Sequence, residues 1–166
     1  MKVRAILTMT LLALCAGCNS ADTKAKDTED IKALEGRFEA AFQAKDVNAI
    51  IANYVADDSL IVFDAIPPLQ YTGAAAYRKD WVDTFAAYPG PVEFGIANLD
   101  ITVGGDVAYS RSIQHGTFTD KDGKKTELTI RVTDGYKKVD GKWLIAQEHV
   151  SVPVDLETMK ADLNAK

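Results

Sequence analysis

Hydrophobic and polar positions change period once along this chain, and the change divides it into a helical half and a β half. Ile31, Leu34, Phe38, Ala41 and Phe42 recur at helical spacing and form one apolar stripe that runs to Lys45. Thr28-Glu29-Asp30 sets acids where the helix dipole favours them, so a helix is expected to begin there. Asp46 can cap a second, shorter helix with Val47, Ile50, Ile51 and Tyr54 on its buried side. Ser59 to Phe63 is a short β run, ended by Asp64 and the Pro67-Pro68 pair, which cannot continue a ladder. Gly73 opens a third helix in which Tyr77, Trp81 and Phe85 stack at i, i+4 and i+8, and Tyr88-Pro89-Gly90-Pro91 stops it.

From Val92 onward the period is two. Four strands are expected, about Val92–Val103, Val107–Thr119, Lys125–Val139 and Lys142–Ser151. Tight turns at Gly104-Gly105-Asp106, Asp120-Lys121-Asp122-Gly123 and Asp140-Gly141 join them into an antiparallel meander. In the last strand, simple alternation puts Trp143, Ile145, Gln147, His149 and Ser151 on one side. That row begins as core and ends polar, as a strand does when it runs from a packed interior into a cavity. Leu156, Met159 and Leu163 behind Asp155 predict a short C-terminal helix. Helices first and a long curved antiparallel sheet after is an α+β layout, with a concave pocket between the layers.

The N-terminus adds a segment outside this pattern. Lys2 and Arg4 precede an apolar run from Ala5 to Leu14 that is too short to span a bilayer, and Ala16-Gly17 lead into Cys18. This resembles the bacterial lipoprotein signal, although Cys15 stands where that motif usually carries an aliphatic residue. The resemblance implies that Cys18 becomes a lipidated first residue and that the protein sits in the cell envelope, anchored by lipid and facing the periplasm in a two-membrane cell. Ordinary secretory cleavage between Ala16 and Ala21 is the alternative. The expected organisation is then a leader over 1–17, a flexible tether over 18–28, one domain over 29–153, and a tail over 154–166.

Removing the leader takes away Lys2 and Arg4 and no acid, so the charge goes from −5 for the whole chain to −7, from 17 basic and 24 acidic residues. An acidic body without a basic cluster argues against nucleic acid as a partner. Both cysteines lie in the leader region, so no disulfide is expected in the mature domain. Two histidines and no cysteine in the body leave no metal site expected, and no motif calls for a cofactor.

Phe38-x3-Phe42-x3-Asp46, Tyr54-x2-Asp57-Asp58, Asp64 before Pro67, Gly73, and Gly141-Lys142-Trp143 with His149 together resemble the nuclear-transport-factor-2-like superfamily, in its ketosteroid-isomerase and SnoaL-like branch. The likeness covers roughly Asp30 to Pro153. It implies a cone-shaped α+β barrel with three N-terminal helices packed on a strongly curved antiparallel sheet, and a homodimer through the outer sheet face. The scaffold hosts enzymes, ligand binders and assembly modules alike.

Candidate chemistry follows from these positions. Asp64 falls where the resembled isomerases keep a general base, and otherwise simply caps the turn before Ile66. Their oxyanion-binding tyrosine falls on Phe38, which has no hydroxyl. His149 is the expected proton-transfer partner of Asp64, as in dehydratase relatives; the alternative is a strand-end histidine holding a backbone carbonyl. Arg131-Val132-Thr133 resembles the Arg-x-Asp of epoxide-hydrolase relatives, with Thr133 replacing the acid, which leaves Arg131 as a candidate carboxylate clamp. Gln147, Trp81 and Tyr54 complete the expected ligand contacts. Three readings result: a pocket for a small apolar or carboxylated molecule, a cofactor-free lyase or isomerase using Asp64 and His149, or a dimeric structural module.

Overall fold

Residues 15–165 are described by a computed structural model. Helix α1 (Cys15–Gln43) carries Ile31, Leu34, Phe38, Ala41 and Phe42 on one buried face. It begins well before Thr28, so the expected tether is helical, and Asp27 is already buried beneath it. The physical reason is an anchor that periodicity does not reveal. Asp27 Oδ1 accepts hydrogen bonds from Lys138 Nζ (2.5 Å) and Trp143 Nε1 (3.1 Å), which dock this turn on the sheet. Helix α2 (Val47–Ile51) starts at Asp46, whose carboxylate accepts the Ala49 N–H at 3.0 Å. Strands β1 (Ile61–Phe63) and β2 (Tyr71–Thr72) precede α3 (Ala74–Ala87).

The long strands are β3 (Val92–Gly104), β4 (Val107–Thr119), β5 (Lys125–Val139) and β6 (Lys142–Ser151). They form an antiparallel meander, and β1 adds to its free edge parallel to β6, giving the order β2-β1-β6-β5-β4-β3. The helices pack on the inner face of this curved sheet. Along β4 and β5, side chains alternate so that Ser110, Ser112 and Gln114, and Val132, Asp134 and Tyr136, are buried between sheet and helices.

Strand β6 departs from simple alternation. Tyr136 pairs with Ile145 but Gly135 pairs with Gln147, so Ala146 is an extra residue and the strand bulges. Trp143 and Ile145 face the core before the bulge; after it Glu148 and Val150 do, while Gln147 and His149 turn to the outer face. A one-residue slip exchanges the faces of everything beyond it.

The C-terminal helix expected from Asp155 is instead a small hairpin of β7 (Val154–Asp155) and β8 (Lys160–Ala161). Asp155 does cap, but it caps a turn, accepting the N–H groups of Glu157 and Thr158 at 2.8 and 3.1 Å. Met159 at φ 55° prevents a helix from continuing. A hydrogen bond from Thr129 N–H to Leu163 C=O (2.7 Å) holds the end of the chain against β5.

Candidate functional site

Between helices and sheet lies a cavity of about 370 Å³. Its walls are aromatic: Phe38 and Phe42 from α1, Tyr77 and Trp81 from α3, Phe94 from β3 and Phe118 from β4. The rings lock one another. Phe42 stacks on Phe94 with centroids 4.0 Å apart and meets Trp81 edge-on at 5.0 Å. Leu128 and Ile130 supply the sheet side, and Ala161 and Leu163 of the C-terminal segment lie along the rim.

Three acids reach this cavity: Asp64 after β1, Asp80 on α3 and Glu148 on β6. None of the described residues lining it is Lys, Arg or His. Glu148 is the most confined. Tyr54 donates to its Oε2 and Tyr77 to its Oε1, both at 2.6 Å. Burial lifts its proton affinity to a pKa of about 7; the two phenols oppose the rise, and the charges of Asp64 and Glu35 add to it. Burial and the nearby carboxylates push both phenols well above their ordinary range, so they stay protonated and donate.

Behind Glu148 lies a second layer of acids. Asp134 is 2% exposed and lies against the Ser110 hydroxyl and the Glu148 carboxyl. Burial first, then the charges of Glu148 and Glu35, raise its proton affinity far above the carboxylate norm. Glu35 on α1 accepts from Tyr136 OH at 2.7 Å, and Ser110 Oγ lies 2.7 Å from the same hydroxyl. Burial raises Glu35 as well. At the mouth, Asp64 accepts the Ala65 N–H at 2.5 Å and is raised by burial, with Asp80 adding to the effect. Asp80 itself accepts from Tyr71 OH at 2.6 Å.

The residues singled out from the sequence divide here. Asp64 and Trp81 line the cavity. Tyr54 stands one step behind, reaching it through Glu148. His149 is exposed on the outer face, edge-on to Phe63 at 5.7 Å, and makes no pair with Asp64. Arg131 is exposed on the same face, since Val132 and Asp134 hold the inward positions of β5, and so it clamps nothing in the cavity. Gln147 lines a shallow depression on the outer side with Ser59, Ile61 and Lys137. The bulge at Ala146 is the reason for His149 and Gln147. Arg131 was assigned to the wrong face of a regular strand. Cys18 falls within the first turns of α1.

Sequence reasoning overlooked Glu35, Asp134 and Glu148. Two signals pointed to them. Glu35 sits beside Leu34 within the apolar stripe, and Asp134 alternates with Val132 and Tyr136 in a row otherwise apolar. Gly135 inside a strand was the mark of a bulge opposite.

The SnoaL-like domain family model matches residues 31–155. Among solved structures, an NTF2-like protein of unknown function from Pseudomonas putida is 31% identical, with 88% of this chain and 97% of that one covered and a TM-score of 0.75. A protein provisionally named scytalone dehydratase from Novosphingobium aromaticivorans is 20% identical over 78% of this chain and 86% of that one, with a TM-score of 0.70. An aromatic ring hydroxylase, also provisionally named, from the same organism is 19% identical over 82% and 98%, again at 0.70. At those identities the likeness is one of fold. No curated protein matched the chain. With the model matching nearly the whole folded region and the same cone of helices on a curved sheet, this chain belongs to the SnoaL-like domain family.

Proposed function

We propose that this protein is an envelope lipoprotein whose SnoaL-like cavity binds one small, largely apolar molecule that carries no negative charge. The observation that supports it is the lining: aromatic and aliphatic walls, three acids, and no basic side chain among the described residues. A carboxylated ligand would enter a field already negative and meet no basic side chain, with the unpartnered indole N–H of Trp81 as a neutral donor, so that half of the sequence expectation is withdrawn. The volume suits one or two fused rings. Asp64, without a histidine beside it and without an oxyanion donor at Phe38, supports binding over proton-transfer catalysis by the Asp64–His149 pair.

Membrane attachment rests on the leader pattern ending at Cys18. The test of the pocket is a thermal-shift series with uncharged, cationic and carboxylated ring compounds of matched size. A rise in Tm confined to non-anionic members supports the reading. Stabilisation by carboxylates alone, or by none, refutes it. Fractionation of cells expressing Cys18→Ser tests the anchor: the variant is expected in the soluble fraction, and unchanged membrane retention would overturn lipidation there.

A further inference from the structure

We infer that the ligand of this cavity is an organic cation, an ammonium group on an apolar body, held between the aromatic walls and the carboxylate of Glu148. The inference rests on the binding reading above and narrows its ligand class. Two independent features converge. The first is the lining: Phe38, Phe42, Trp81, Phe94 and Phe118 border one cavity, with Phe42 and Phe94 stacked on each other, and aromatic rings attract a positive charge. The second is a cluster of buried acids, Glu35, Asp134 and Glu148, with no basic side chain among the described residues that line the cavity.

The groups that face Glu148 are Glu35 from α1, Tyr54 after α2, Asp64 after β1, Tyr77 from α3 and Asp134 from β5, with Asp80 acting on Tyr77. None is basic. Asp134, buried behind Glu148, meets that carboxyl and the Ser110 hydroxyl and has no basic partner. Elsewhere the fold handles a buried acid differently, giving Asp27 the ammonium of Lys138. Lys45, which lies over the Phe85 ring, is taken up by the carbonyls of Tyr88 and Gly90. A cation entering the cavity would complete the pairing that the chain leaves open. The net negative charge of the protein would draw it in.

A quaternary ammonium is the right probe, because its charge does not change with pH. Isothermal titration would compare benzyltrimethylammonium with neopentylbenzene, its uncharged isostere, on the full chain carrying Cys18→Ser. At pH 8 the cation is expected to bind at least tenfold more tightly than the isostere. The preference should shrink towards pH 5.5 as Glu148 takes up a proton. Binding at pH 7 should release a fraction of a proton, seen as a dependence of the heat on buffer ionisation. In Glu148→Gln, which keeps the volume and an acceptor for one phenol, the preference should fall to about twofold or less. Asp64→Asn, at the mouth and away from the core, should lose part of it.

Equal or tighter binding of the isostere at pH 8 overturns the cation inference and leaves the binding reading intact. A preference unchanged in both Glu148→Gln and Asp64→Asn also overturns it. Failure of both compounds to bind the wild-type protein overturns both readings together.

Discussion

Asp27 and Glu148 are both carboxylates buried where the helices meet the sheet, and they are treated in opposite ways. Asp27 receives an ammonium from Lys138 and an indole N–H from Trp143, and that pairing holds its proton affinity below the ordinary value despite burial. Glu148 receives two neutral phenols, and burial wins, carrying it to about 7. Charge compensation therefore separates a carboxylate that fastens the fold from one that burdens it. The first closes the helix on the sheet. The second lies on a cavity wall, with Asp134 and Glu35 behind it repeating the same imbalance. Groups that cost stability in place of supplying it concentrate at functional sites.

The comparison predicts distinct responses. Lys138→Ala strands the Asp27 carboxylate, and breaking such a pair should cost about 3 kcal/mol or more in urea unfolding at pH 7. A loss below about 1 kcal/mol would show Asp27 to be no anchor.

Glu148→Gln should do the reverse. A carboxyl whose folded pKa is raised contributes fully below its unfolded value near 4.5 and loses that contribution as pH rises through about 7. The variant should thus be more stable than wild type at pH 8, by roughly 2 kcal/mol, and show little gain at pH 5. For Asp27, whose pKa is depressed, the contribution is present above about 4 and lost on further acidification. Wild-type stability should accordingly fall on both sides of a maximum near pH 5. A flat profile from pH 5 to 8, with no difference between Glu148→Gln and wild type, would dissolve the contrast.

Tyr77→Phe and Tyr54→Phe each remove one donor to Glu148. Each should cost about 1–2 kcal/mol at pH 8, where the acceptor is charged, and less at pH 5. Smallest of all, His149→Ala and Arg131→Ala should change stability by less than about 0.5 kcal/mol and leave ligand binding as it was. A tenfold loss of affinity in either would return that residue to the site.

Much of the architecture was legible because it depends on periodicity, which the sequence displays directly. The stripe from Ile31 to Phe42, the Asp46 cap and the four β runs with their turns all reappear within a few residues. Features that depend on long-range partners were not legible. The helix extends through Asp27 because Lys138 and Trp143 wait more than a hundred residues away, and no local pattern contains them. Asp155 was correctly seen as a capping residue, but the element it caps was not. The inner row of β6 was misread through a single unpaired residue, and with it the identity of the polar group at the cavity. Arg131 was misassigned for a simpler reason: its neighbours Val132, Asp134 and Tyr136 alternate cleanly, and the apolar members of that row mark the inner face.

The extra residue at Ala146 also bears on how such a protein can change over generations. Strand β6 holds an acid and an imidazole side by side, and only one can look inward at a time. Were the additional residue accommodated beyond Ser151, unbroken alternation from Trp143 would carry Gln147 and His149 to the interior and send Glu148 out. A one-residue insertion or deletion in the strand would then exchange Glu148 and Val150 on the lining for Gln147 and His149, with Asp64 and Asp80 kept. Descent within this scaffold can pass between chemistries by moving a kink, without replacing the residues that perform them.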